Sequence, residues 1–351
     1  MSILQRVRPE ILTLDAYHPA TWKPGMVRLH ANENPWRPDG DLSAGGLNRY
    51  PEPQSAELAR ALAGLYGVDP DCVLPTRGSD EGIDLLVRAF CQAGQDRILV
   101  STPTFPMYGY AARVQGAGIV DVPLRAPDFT LDTEGVRAGI DATVKLVFLC
   151  APNNPTGGHP GRQAILDLAE QIGERALLVV DEAYIEFCTT ASLADEVAGR
   201  DNVAVLRTMS KAYGLAGARC GAVVASPTLI DLLRRLLPPY ALTTHTIEAV
   251  TGCLQDQGVQ RTAGQVERLL ASRQSLATGL AGLPAITRVW PSEANFLLVH
   301  SQRSSELLRM ALDAGLLVRD VGTQPGLAGC LRVTVGLDED NARLLMAWSQ
   351  A

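Results

Sequence analysis

Lys211 lies in the run Thr208-Met209-Ser210-Lys211-Ala212-Tyr213-Gly214, and Arg219 follows eight residues later. Upstream stand Pro152-Asn153-Asn154-Pro155-Thr156-Gly157 and Val179-Val180-Asp181-Glu182-Ala183-Tyr184. A solitary lysine is usually a solvated surface charge, but here an amide, a carboxylate, a phenol, an amine and a guanidinium follow one another in order. A lysine amine can condense with an aldehyde, and once released it can move a proton as base and then acid. Asp181 closes an apolar run, so its carboxylate is costly to bury unless it meets a cation such as a protonated pyridine nitrogen. The plainer alternative for Asp181 is a helix cap after the strand. Tyr184 and Asn154 can both hydrogen-bond a phenolic oxygen. These are the requirements of a pyridoxal phosphate site.

A phosphate handle needs donors. Arg77-Gly78-Ser79-Asp80-Glu81-Gly82 joins Val73-Leu74-Pro75 to an amphipathic segment. Small residues expose backbone N–H groups there, and a helix N-terminus favours an anion. The competing reading is simple capping by Ser79 or Asp80. Arg219, flanked by Gly217-Ala218 and Cys220-Gly221, adds a bidentate charge, and Ser210 adds a hydroxyl. Tyr108, in Pro103-Thr104-Phe105-Pro106-Met107-Tyr108, is expected to stack on the pyridine ring, the alternative being an aromatic core residue. No Gly-x-Gly-x-x-Gly follows a candidate strand, and neither Gly-x-x-x-x-Gly-Lys nor Gly-x-Ser-x-Gly occurs.

The elements that must hold these side chains are written in the apolar pattern. Residues 97–100, 144–150, 176–180, 203–206 and 221–225 are short, continuously apolar runs, as expected of strands buried on both faces of a mostly parallel sheet. Ile83, Leu86, Val87 and Phe90, and again Ile165, Leu168, Ala169 and Ile172, form helical stripes between them. The fold class is therefore α/β, with a large domain over 45–240 whose mostly parallel central sheet is flanked by helices. Pro238-Pro239 breaks this pattern. A long helix carrying Val266, Leu269 and Leu270 follows, then strands over 286–290, 294–299 and 331–335, with helices near 304–314 and 339–348. These predict a smaller α/β domain over 241–351. Residues 1–44, with little periodicity, are expected to form an arm joining the small domain or crossing a partner subunit.

Charge and composition narrow the function. A net charge of −7 offers no invitation to nucleic acid. The seven cysteines never form Cys-x-x-Cys and the five histidines never take metal-ligand spacing, so reduced thiols and no metal are expected. Neither a membrane-length apolar run nor the apolar core of a signal peptide occurs, which suits a cytoplasmic protein.

The ordered set resembles the fold-type I pyridoxal phosphate-dependent aminotransferases over essentially the whole chain, and in particular their histidine-biosynthetic branch. Ala31-Asn32-Glu33-Asn34-Pro35 and Asn48-Arg49-Tyr50-Pro51 look like that branch's N-terminal signatures. Arg319-Asp320 with the run from Pro325 to Gly336 looks like its C-terminal one. The resemblance implies that Lys211 holds pyridoxal 5'-phosphate, Asp181 its ring nitrogen, and Tyr184 and Asn154 its phenolate. Gly78, Ser79, Asp80, Ser210 and Arg219 would surround its phosphate, with Tyr108 on the ring. Tyr50 would reach the phosphate of the neighbouring subunit's cofactor, which implies a homodimer. Arg332 would bind the carboxylate of glutamate or 2-oxoglutarate and the phosphate of histidinol phosphate, with Arg319, Tyr17 and Asn34 shaping that end. The segment 16–23 matches only loosely. The implied activity is amino-group exchange between L-histidinol phosphate and 2-oxoglutarate. Rivals on the same fold are a threonine-phosphate decarboxylase-like lyase and an aromatic amino acid transaminase. A non-catalytic regulator would need a basic DNA-binding domain for which this chain has no spare length.

Overall fold

The computed structural model describes residues 3–17, 19–21, 23 and 25–351. His18 and Trp22 of the segment 16–23 lie outside the described residues.

The seven strands of the large sheet are β1 (Val73–Thr76), β2 (Arg97–Val100), β3 (Gly118–Asp121), β4 (Val144–Cys150), β5 (Leu177–Asp181), β6 (Val203–Thr208) and β7 (Gly221–Val224), in the order β1-β7-β6-β5-β4-β2-β3. The pairings from β3 through β6 are parallel, while β7 runs antiparallel to both β6 and β1. Every residue of β5 and β6 is buried. Each successive pair explains the unbroken apolar runs. Phe148, Val179 and Leu206 enter a core beneath helices Ser79–Phe90 and Met107–Gln115, while Val147, Val180 and Val205 enter the opposite core with Ile165, Leu168 and Ile172.

The strands not anticipated are short or marginal. β1 contains Pro75 and lies at one edge, where a missing N–H is tolerated. β3 lies at the other edge with no buried residue. Four further strands, β8 (Arg288–Val289), β9 (Phe296–His300), β10 (Arg319–Asp320) and β11 (Cys330–Thr334), form an antiparallel sheet in the order β10-β11-β9-β8. Its apolar face packs on helices Asp256–Ala281, Ser304–Asp313 and Asp338–Trp348 around Trp348, whose indole N–H donates to the Leu307 carbonyl at 2.9 Å.

The structure divides the chain differently from the sequence pattern at both joints. Ile3, Val7 and Ile11 enter the large core, and Arg8 N–H donates to the Ala89 carbonyl at 3.0 Å, so the opening segment is part of the large unit. Helix Thr244–Cys253 also stays there, burying Val250 beside Leu242, and the small unit begins with helix Asp256–Ala281. No helix among the described residues is long and apolar enough to cross a membrane.

Candidate active site

Strands β1, β4, β5 and β6 point the same way, and the loops leaving their C-terminal ends converge with the loop entering the reversed strand β7. In an open α/β sheet the crevice outside these ends is where ligands bind. It holds a cavity of about 250 Å³ whose lining includes Ser79, Asp80, Phe105, Asn154, Asp181, Tyr184, Ser210, Lys211, Arg219 and Arg332. These ten residues come from seven segments: the loops after β1, β2, β4 and β6, the end of β5 with the loop that follows it, the loop entering β7, and Arg332 from the small sheet.

Asp181 ends β5 and is 2% exposed. Its Oδ1 accepts the Ala183 N–H at 3.1 Å, the local turn that a cap reading anticipates, and its Oδ2 accepts the Tyr108 hydroxyl at 2.7 Å. Among the described residues no cation lies within ion-pair distance of it. Burial pushes its pKa from 3.8 up to about 6, against the two hydrogen bonds that lower it. A carboxylate held only by neutral donors at a cavity wall is a ready partner for a protonated ring nitrogen.

Lys211 follows β6 and is exposed as a residue, but its Nζ lies 5.7 Å from the Tyr184 ring centroid. Partial burial of the ammonium, then the Arg332 guanidinium, lowers its pKa, which favours the free amine that condensation requires. Tyr184 is buried and set edge-on to Phe296, with centroids 5.2 Å apart. Asn154 Nδ2 donates to the Tyr184 hydroxyl at 3.5 Å, so amide and phenol converge as Lys211 neighbours.

At the other end of the cavity helix Ser79–Phe90 begins, and its N-cap is Gly78 at φ 79°, with no side chain capping the first turn. The capping reading of Ser79 or Asp80 is therefore replaced: Asp80 turns to Arg219 at 3.3 Å, and the first N–H groups are left open to an anion. Arg219 Nη1 donates to Ser210 Oγ at 3.4 Å, and the Thr208 hydroxyl also donates to that oxygen at 3.1 Å. Arg219 itself sits at φ 52°, a left-handed conformation that costs energy for a side-chain-bearing residue and brings its guanidinium back over Gly78. A Cβ at Gly78 would stand 2.8 Å from Arg219 Nη2, the movable end of a side chain, and would have to adopt the positive φ that glycine takes without strain.

Arg332 arrives from β11 of the small sheet. Its Nη1 donates to Asn154 Oδ1 at 2.6 Å, its guanidinium carbon lies 5.3 Å from the Phe296 ring centroid, and its buried Nε has no hydrogen-bond partner among the described residues. Burial lowers its pKa. A buried, unpartnered Nε–H on a half-buried guanidinium is costly and calls for an anionic ligand.

Other expected residues lie elsewhere. Tyr108 is corrected: it is fully buried behind Asp181, stacked on Phe148 with centroids 4.8 Å apart, and Phe105 is the aromatic that lines the cavity. The signal was present in the stripe Tyr108, Ala111, Ala112, which marks the buried face of helix Met107–Gln115. Arg319 is exposed and pairs across from Arg332 in the β10–β11 ladder. Asn34 Oδ1 accepts the Trp36 N–H at 3.0 Å, while Tyr50 stacks on Tyr240 with centroids 4.5 Å apart. Tyr17 is 73% exposed and lines a separate groove with Gln54 and Arg234. Within one chain these three are not brought to Lys211. Phe105, Cys150, Thr208 and Ala216 line the cavity without having been singled out. No cluster of metal-ligating side chains occurs among the described residues.

Comparison with known proteins agrees with this architecture. The model of the family "Aminotransferase class I and II" matches residues 21–347. A histidinol-phosphate aminotransferase of Stenotrophomonas maltophilia (strain R551-3) is 44% identical over 358 positions, covering 99% of this chain and 96% of the relative. The crystal structure of histidinol-phosphate aminotransferase from Sinorhizobium meliloti in complex with pyridoxal-5'-phosphate superposes with a TM-score of 0.80 at 27% identity, over 88% of this chain and 83% of that one. The L-threonine-O-3-phosphate decarboxylase of Porphyromonas gingivalis gives a TM-score of 0.75 at 25% identity, over 87% and 90%. A lysine, an aspartate and two arginines gathered at the C-terminal edge of such a sheet, together with these matches, establish that the chain belongs to the class I and II aminotransferases.

Proposed function

We propose that the protein is a pyridoxal phosphate-dependent transaminase that moves the amino group of L-histidinol phosphate to 2-oxoglutarate, giving imidazole acetol phosphate and L-glutamate. The family membership supports the reaction class, and the 44% identical relative over nearly the full length supports the substrate. The single observation that carries the reading is the half-buried guanidinium of Arg332 beside Asn154, whose buried Nε has no hydrogen-bond partner among the described residues. Its planar fork suits carboxylate and phosphate alike, which an enzyme alternating between these two anions needs.

The donor set fits the cofactor: an uncapped helix N-terminus with Arg219 and Ser210 for its phosphate, and for its ring a buried carboxylate that meets no cation within ion-pair distance among the described residues. When bound, pyridoxal phosphate supplies an aldehyde and a ring that accepts the electrons released at the substrate carbon. Lys211 would hold the cofactor through Nζ, and the same amine would take up and return a proton at that atom. Asp181 would pair with the ring nitrogen and favour its protonated form. Tyr184 and Asn154 would donate to the phenolic oxygen. Gly78, Ser79 and Asp80, through their backbone, and the side chains of Ser210 and Arg219 would hold the phosphate. Arg332 anchors the far anion of each substrate, and Arg319 adds charge at its entrance.

The reading includes a homodimer in which Tyr50, Tyr17 and Asn34 serve the partner's cavity. It is supported by the exposed apolar side of the arm, where Leu29 and Leu42 are 94% and 95% exposed and Trp36 is 78% exposed. Seven free cysteines, five of them buried, suit a reducing cytoplasm.

The test is a half-reaction. L-histidinol phosphate added to the yellow protein without a keto acid converts the chromophore to the pyridoxamine form, and 2-oxoglutarate restores it. If the colour persists while threonine phosphate releases carbon dioxide, the decarboxylase reading replaces this one.

A further inference from the structure

We propose that Tyr108 is the positioning residue for Asp181: its buried hydroxyl fixes, from behind the sheet edge, the carboxylate that receives the cofactor's ring nitrogen. This inference rests on the proposed cofactor reading and deepens it.

Three observations converge. Tyr108 has no exposed surface, and its hydroxyl donates to Asp181 Oδ2 at 2.7 Å. Its ring is clamped, stacked on Phe148 at a centroid distance of 4.8 Å and an interplanar angle of 11°, and set edge-on to Phe105 at 5.7 Å. Phe105 in turn lines the cavity, so one aromatic pair touches both the carboxylate's back and the space where the ring would lie. With Oδ1 held by the Ala183 N–H, the carboxylate has one donor on each oxygen and a fixed plane.

The hydroxyl also decides which form of Asp181 the cavity meets. The groups facing Asp181 are Tyr108 from helix Met107–Gln115, Cys150 from the end of β4, Asp80 from the start of helix Ser79–Phe90, Tyr184 from the loop after β5, and Lys211 from the loop after β6. Of these only Lys211 carries positive charge, and burial and Arg332 both lower its pKa. Burial raises the phenol of Tyr108 well above its usual value, so it remains a donor throughout the working range. Remove that donor and the carboxylate keeps burial's penalty with one hydrogen bond fewer, which favours the neutral acid. A neutral acid cannot form the ion pair that keeps a pyridine nitrogen protonated.

The experiment measures pyridoxal phosphate binding to cofactor-free wild type, Tyr108→Phe and Asp181→Asn by equilibrium dialysis across pH, beside a thermal melt of each. Tyr108→Phe is expected to fold, to bind at least about tenfold more weakly near neutrality, and to shift the acid limb of binding to higher pH. Asp181→Asn loses more and flattens that limb. Wild-type affinity and an unmoved limb in folded Tyr108→Phe, with Asp181→Asn weakened, overturn this inference while leaving the cofactor reading intact. Wild type that does not bind the cofactor overturns both. Should Tyr108→Phe not fold, Phe148→Leu loosens the clamp while keeping the hydroxyl. A smaller shift of the same sign then supports the proposal, and unchanged binding overturns it.

Discussion

Arg332 and Asn154, 178 residues apart, meet through one hydrogen bond of 2.6 Å from Nη1 to Oδ1. The bond assigns the amide, because Oδ1 facing Arg332 leaves Nδ2 to face the Tyr184 hydroxyl at 3.5 Å. It also ties the small sheet to the loop after β4. A substrate anion competing for Arg332 therefore acts on a group that would touch the cofactor's phenolic oxygen.

Changing Arg332 to Lys keeps the charge but removes the fork. The expected result is a rise in KM of roughly 10- to 100-fold for both the phosphate-bearing and the carboxylate-bearing substrates, from loss of a charge-assisted bidentate contact. Steady-state kinetics of the two half-reactions check it. A rise for one substrate alone would restrict Arg332 to one anion.

Changing Lys211 to Ala is expected to cut turnover by about 10³-fold or more while leaving the thermal midpoint nearly unchanged, because the residue is exposed and packs little. Single-turnover assays and a melt separate the two. Full activity in the variant removes the core of the transaminase reading.

Asp181 gives the cofactor-free protein a pH signature. Its folded pKa of about 6 exceeds the unfolded 3.8, so the proton is kept on folding. The contribution favours the fold below the unfolded value and is lost as pH rises through about 6. Asp181→Asn escapes this loss. Its stability relative to wild type should therefore improve by about 1–2 kcal/mol between pH 5 and pH 8, measured by denaturant unfolding without cofactor. An equal difference at both pH values would mean that the carboxyl titrates normally in the fold.

Gly221 and Gly78 separate two kinds of crowding. A Cβ on Gly221 would stand 2.7 Å from the Arg207 carbonyl oxygen, the Gly78 carbonyl carbon and the Ser79 nitrogen, all of them backbone atoms with nowhere to move. Gly221→Ala should cost about 3 kcal/mol or more and disturb the anion loop. Gly78→Ala meets the end of the Arg219 side chain and a positive φ, so about 1–2 kcal/mol is expected, with weaker phosphate binding as the larger effect. Unfolding curves and phosphate-competition binding distinguish them.

The chain's order of residues by itself determined the strands at 97–100, 144–150 and 203–206, the helices bearing Ile83 and Ile165, and the set Lys211, Asp181, Tyr184, Asn154, Arg219. A strand covered on both faces must be apolar throughout, and a helix on a sheet must carry a stripe, so both patterns survive in one dimension. The side chains at strand ends are legible for the same reason, since a charged group closing an apolar run has no packing purpose. What the tertiary structure decided is direction and company. Tyr108 reads alike as ring partner or core residue until helix Met107–Gln115 is seen to turn it beneath Asp181 and bring Phe105 to the cavity. Gly78, not Ser79 or Asp80, caps its helix because Asp80 is drawn to Arg219, 139 residues away. Residues 3–12 and 244–253 join the large core through apolar contacts that no local periodicity encodes. Local propensity is set by neighbours in sequence, whereas these outcomes depend on which distant surfaces exclude water together.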